Sequence, residues 1–265
     1  LINQLPISVQ NFMQNYLNAL NKNLPSNLIE GVYIYGSIAL GAFNEAKSDI
    51  DFIVSLKRSA NAKELEFITN VHSQMNNTEY GKRMDGVYVR ASLVGKTNEE
   101  LSTYLFCAEG TVSLGHWDLN HITWWILKED GITLQGTPIA ELAIPTEWID
   151  VLNTLKYNMN QYWFNKTKNA DEFLADEMVE FTTTTICRII CSLEQRDIIS
   201  KDKAVNECLK TLPERWSLLL KEGARIRNDI SAESFYKSNV KRAEECREFI
   251  LYAHKLCNEK FFNEE

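Results

Sequence analysis

Apolar positions recur with two different periods along the chain, and the change of period predicts two kinds of structure. From Val9 to Leu20 the residues Val9, Phe12, Met13, Tyr16, Leu17 and Leu20 return every three to four positions, which predicts an amphipathic opening helix. A β-rich run, Gly31 to Tyr35, then closes on Gly36. Asp49 to Leu56 alternates charged and apolar residues before turning wholly apolar, as a strand does when its first part reaches solvent. Ala62 to Met75 returns to helical spacing, and Gly86 to Leu93 predicts a third strand. Beyond these, Ile149 to Trp163, Phe173 to Leu193, Lys201 to Leu212, Arg215 to Arg227 and Val240 to Phe261 all carry helical spacing between short polar breaks. Pro213 stops one helix and starts the next, and five helices of these lengths suit a bundle.

Glycine locates the junction between the two regimes. Ten of the eleven glycines precede residue 137 and only Gly223 follows, while Pro138 and Pro145 bracket the segment where the composition changes. The expected organisation is an α/β (α+β) domain over residues 1–145, with a small mixed β-sheet flanked by helices, and an all-α helical bundle over 146–265. No internal repeat interrupts either part.

Composition narrows the function classes. With 265 residues, 45% of them hydrophobic, the chain is large enough to bury a core without disulfides or a structural metal. A formal charge of −8 argues against binding driven by phosphate neutralisation, so no nucleic-acid partner is expected. Nearly all of that excess lies in residues 1–150, which hold 10 basic against 17 acidic side chains. No apolar run approaches the roughly 18 residues of a membrane span, and no basic region followed by an apolar one opens the chain. Cysteines 107, 187, 191, 208, 246 and 257 form no CxxC pair and read as reduced, buried thiols of a cytoplasmic protein. Cys187 and Cys191 fall on one helix face, where core packing is the better reading.

Three features of the first half carry candidate chemistry. Asp49 and Asp51 are two apart, so on a strand both carboxylates point to one face with Cα atoms about 6–7 Å apart, a spacing that lets them share divalent cations. Hard oxygen ligands of this kind suit Mg²⁺, which takes its remaining ligands from water and phosphate oxygens, and the implied substrate is a nucleoside triphosphate. Gly36 and Ser37, in a turn at a strand end, let backbone N–H groups approach phosphate and add a hydroxyl donor. Asp85, placed just before the third predicted strand, joins them if that strand neighbours the second, and three crowded carboxylates then call for cations.

The segment Gly31 to Val54 (GVYIYGSIALGAFNEAKSDIDFIV) resembles the signature of the nucleotidyltransferase superfamily with a DNA polymerase β-like core. More narrowly it is similar to the aminoglycoside (3'')(9) adenylyltransferases, which modify streptomycin and spectinomycin, and Thr185 to Pro213 is similar to that family's helical segment. The resemblance implies transfer of AMP from ATP to a hydroxyl of a cationic aminoglycoside or aminocyclitol, with pyrophosphate leaving and antibiotic resistance as the outcome. It makes Gly36 and Ser37 the phosphate turn, and Asp49 and Asp51 the ligands of two Mg²⁺ ions. Asp85 falls where the family has a glutamate proposed as catalytic base, one methylene longer, so metal binding is its other role. Arg188 and Lys201 match residues of the helical domain that contact ATP across the interdomain cleft. Between Glu99 and Asn120 the chain departs from the family's Glu-Trp-Leu-Arg stretch, and there Trp117, together with Trp163, offers either an aromatic wall or core packing. A monomer with no membrane partner is expected. Two other functions remain open on the sequence: adenylylation of a protein or another small molecule, and a catalytically silent nucleotide-binding regulator.

Overall fold

The amphipathic stripe near the N-terminus closes onto the first core. In the computed structural model, which describes residues 2–228 and 233–262, helix α1 (Ile7–Asn23) buries Val9, Phe12, Met13, Tyr16, Leu17 and Leu20, the six positions picked out by the spacing. Strand β1 (Ile29–Ile34) leads into the short helix α2 (Gly36–Ala39). Strand β2 (Ile50–Leu56), helix α3 (Ala62–Met75) and strand β3 (Met84–Arg90) follow, and β2 and β3 lie parallel as neighbours, so α3 is the crossover that parallel strands require. Asn61 and Glu64 cap the start of α3 reciprocally: each side chain accepts a hydrogen bond from the other residue's backbone N–H.

The sheet has six strands rather than the three expected. Strands β4 (Tyr104–Ala108) and β5 (Thr111–Gly115) form a hairpin on β3, and β6 (Ile132–Gly136), after helix α4 (His121–Asp130), pairs with β1. The order is β5-β4-β3-β2-β1-β6, and the sheet is mixed because only β2 and β3 run parallel. The hairpin turns on Glu109 and Gly110, both at positive φ, the backbone pattern of a two-residue turn that matches strand twist. The third strand also starts two residues earlier than the sequence suggests and stops at Arg90, with a single 3₁₀ turn over Ala91–Leu93.

Strand alternation gives the sheet two chemically different faces. Ile50, Phe52, Val54 and Leu56 of β2 join Met84 and Tyr88 of β3 in the core, with Val9, Phe12 and Tyr16 of α1 and Ile68 and Val71 of α3. Asp51 and Asp85 occupy the intervening positions, so they project from the opposite face.

The chain divides into units of residues 1–147 and 148–265. In the second, helix α5 (Trp148–Tyr157) passes through a π-helical stretch, Asn158–Trp163, into the short α6 (Phe164–Lys166). Helices α7 (Asp176–Gln195), α8 (Lys201–Thr211), α9 (Ser217–Arg227) and α10 (Asn239–Lys260) complete it. Gly223, the lone glycine of this half, sits where α9 meets α7, and a Cβ there would overlap the Thr183 hydroxyl. All six cysteines are unpaired and buried, and Cys208 brings its Sγ to 3.5 Å from that of Cys191, a neighbour that sequence spacing does not reveal. Among the described residues, no helix is long and apolar enough to cross a membrane.

Candidate active site

The turn after β1 and the starts of β2 and β3 converge on one carboxylate cluster. Gly36 has φ of +65°, and a Cβ at that position would overlap Asp51 Oδ2, so both its conformation and its contact exclude a side chain. The backbone N–H of Tyr35 donates to the Asp51 carbonyl at 3.1 Å, and the Ser37 N–H donates to the Asp51 carboxylate. The Ser37 hydroxyl is buried without a hydrogen-bond partner among the described residues. A buried hydroxyl in that state costs stability, and a ligand oxygen at the turn would relieve it.

The parallel register sets Asp85 directly across from Asp51. Asp85 therefore lies inside β3, not just ahead of it as the sequence reading placed it. Asp49 is exposed and immediately precedes β2, so of the Asp49 and Asp51 pair only Asp51 belongs to the strand. The loop leading into it is held by Ser48, whose hydroxyl accepts from the Asn44 N–H at 2.9 Å and whose carbonyl accepts from Arg83 at 3.2 Å.

These groups lie close enough to shift one another's ionisation. Desolvation, then the charges of Asp85 and Asp49, push Asp51 well above the usual carboxylate range. Asp85 is pushed up to about 6, chiefly by desolvation, against which the hydrogen bond from Trp117 acts, with Asp49, Asp118 and Glu109 adding to the upward pressure. Tyr35, buried beside the cluster, has its hydroxyl raised by desolvation and then by Asp51, Asp118 and Asp85. Sequence reasoning did not single out Tyr35, Asp118 or Glu109. The hairpin and the turn after β1 bring them in, and only the run of aromatic and acidic residues around Gly36 and Trp117 hinted at them.

The donor set fits a divalent cation shared with a phosphate chain. Among the described residues no three His, Cys, Asp or Glu side chains form a ready-made metal cage. Mg²⁺ is usually held by one or two carboxylates plus substrate phosphates, and Asp51 with Asp49 or Asp85 supplies that partial set beside the orphaned Ser37 hydroxyl.

The remaining candidates lie in the second unit. Arg188 is on α7, half-buried, and Lys201 is the first residue of α8, with its ammonium 5.3 Å from the centre of the Phe181 ring. That aromatic face accounts for a cation at a helix N-terminus, where the dipole alone disfavours it. Trp163 is 2% exposed and packs on Phe181, which makes it a core residue of its unit. Trp117, by contrast, is half-buried with its indole N–H on Asp85.

Comparison with known proteins places both parts of the chain. The family model described as nucleotidyltransferase domain matches residues 13–99. The model described as aminoglycoside adenylyltransferase, C-terminal domain matches residues 158–253. No curated protein sequence matches the chain. Among solved structures, it is similar to the crystal structure of spectinomycin adenyltransferase AAD(9) from Enterococcus faecialis with ATP and spectinomycin, at 16% identity and a TM-score of 0.63. That match covers 90% of this chain and 99% of the other, and it shows a shared fold. With a nucleotidyltransferase domain carrying the carboxylate cluster and the adenylyltransferase C-terminal domain after it, the chain is an enzyme of the aminoglycoside adenylyltransferase family.

Proposed function

We propose that the protein transfers AMP from ATP to a hydroxyl of a cationic aminoglycoside or aminocyclitol, spectinomycin or streptomycin, releasing pyrophosphate and conferring resistance. The observation that carries this reading is the pairing of Asp51 with Asp85 across β2 and β3, beside a glycine turn whose serine hydroxyl is unpartnered. The turn receives phosphate oxygens through the Gly36 backbone N–H and the Ser37 hydroxyl, the Ser37 N–H being held by Asp51. Asp49 and Asp51 would hold Mg²⁺, which when bound supplies charge neutralisation for the triphosphate and aligns it for in-line displacement. Asp85 also stands on the face where an acceptor hydroxyl would meet the α-phosphorus, and takes that hydroxyl's proton as the new oxygen–phosphorus bond forms and pyrophosphate departs. Positioning of the two reactants by these groups supplies most of the acceleration.

Acidic surroundings support a cationic acceptor. The charges pressing on Asp85 are those of Asp49, Asp118 and Glu109, all negative, and such a field raises the local concentration of a polycation. Arg188 and Lys201 are assigned to the triphosphate on family resemblance, as phosphate-binding cations of the helical unit. The test is substitution in the cluster: Asp49→Asn and Asp51→Asn are each expected to abolish pyrophosphate release while leaving the circular dichroism spectrum unchanged. Turnover retained in either variant would remove that residue from the metal assignment.

A further inference from the structure

Trp117, in the loop after β5, returns to the carboxylate face and is fixed there at every polar group it has. Its indole N–H donates to Asp85 Oδ1. Its ring lies parallel to that of Phe106, with centroids 5.2 Å apart and planes 1° from parallel. Its backbone N–H donates to the Tyr104 hydroxyl at 2.7 Å, and that hydroxyl donates to Asn98 Oδ1 at 2.6 Å. The Asn98 side-chain amide donates back to the Trp117 carbonyl, which also accepts from the Leu119 N–H at 2.8 Å. Sheet register explains how this brace reaches Asp85. Phe106 pairs with Val87, two residues along from Asp85 on the same face, and Gly115 at the end of β5 pairs with Tyr104.

A purely structural tryptophan would not need this carboxylate. Trp117 is half-buried and directs its indole N–H to an acidic side chain of the cluster. The contact occupies Oδ1, and among the described residues no hydrogen bond engages Oδ2. We propose that Trp117 is a positioning residue for Asp85, holding the carboxylate plane so that Oδ2 faces the acceptor hydroxyl. The inference rests on the role given to Asp85 above.

The test is Trp117→Phe, which keeps a ring over Phe106 and removes the donor. With Mg·ATP and an accepted antibiotic, kcat is expected to fall about 10–100-fold, as for loss of groups that orient a reacting side chain. KM for ATP is expected to stay within about twofold, because no interaction with the nucleotide is removed. In an Asp85→Ala background the same substitution should cost nothing further, since its effect passes through Asp85. Full kcat in a folded Trp117→Phe protein would overturn the positioning role while leaving the proposed function standing. If Trp117→Phe does not fold, Asn98→Ala, which loosens the brace without touching the indole, should lower kcat with KM for ATP unchanged; unchanged kcat there overturns the proposal. A wild-type protein inert toward every acceptor would count against the proposed function, and the contact is then read directly by NMR. The indole resonance missing from Trp117→Phe should move in Asp85→Ala, and an unmoved resonance would overturn the inference.

Discussion

An alanine at position 36 would place a methyl group on Asp51 and hold a side chain at a φ of +65°. Gly36→Ala is therefore expected to lose turnover at least as completely as removal of the carboxylate, and a variant with near-normal kcat would contradict the close approach. Asp51 leads to a prediction with two signs. Its charge is disfavoured by desolvation and by Asp85 and Asp49, so Asp51→Asn should raise the melting temperature of the ligand-free protein even as it abolishes transfer. A lowered melting temperature would show that the carboxylate is structural. These residues were legible in the sequence because chemistry at a strand start is written in local spacing: glycine before serine, two aspartates at a period of two. The pairing of Asp51 with Asp85 was not, since register between strands that flank a 14-residue helix is a long-range property. Trp117 was legible only as an aromatic in an atypical segment, because the β4–β5 hairpin, not spacing, aims it at Asp85.

Elements with one buried face announced themselves. Helices α1 and α3 carry a clean period because the core takes one side of each, strand β2 stands out instead as an apolar run buried on both faces, and the structure reproduces α3 to the residue. Strands β5 and β6 escaped notice because they are the two sheet edges: β5 has no buried residue and β6 has one, so neither shows the alternation that burial imposes. In the helical unit, the α7–α9 contact turns on Gly223, and Gly223→Ala is expected to cost about 1–3 kcal/mol in chemical denaturation through overpacking against Thr183. No loss of stability would mean that the helices part easily there. Helix α9 also carries Glu222, fully buried, which accepts hydrogen bonds from Arg225, Arg242, Ser234 and the Phe235 N–H and so ties α9 to α10. Burial alone would raise its pKa, but the bonds from Arg225, Ser234, Phe235 and Arg242 outweigh it and hold the carboxyl down at about 2. Its folded pKa lies below the ordinary 4.5, so its contribution is complete above about pH 4.5 and is lost as the pH falls towards 2. Glu222→Gln should lower stability at pH 7 by about 3–5 kcal/mol, the usual cost of breaking a buried pair, and should flatten the acid limb of the stability profile. An unchanged acid limb would assign the acid sensitivity elsewhere.

At the scale of the whole chain, the two family models divide the chemistry as the composition divides the charge. The acidic half carries the nucleotidyltransferase domain, and the nearly neutral half carries the helical domain with Arg188 and Lys201. If the helical unit contributes to the triphosphate, Lys201→Ala should weaken ATP binding in calorimetry and leave binding of the antibiotic alone unchanged. Equal ATP affinity would limit nucleotide recognition to the first unit. Transfer of AMP to a cationic antibiotic is measured by incubating the protein with Mg²⁺, ATP and a panel of spectinomycin, streptomycin and other aminoglycosides, following pyrophosphate release and product mass together. At least one antibiotic is expected to gain a single AMP, matched by one pyrophosphate released. A panel left unmodified by a protein that still binds Mg·ATP would contradict it.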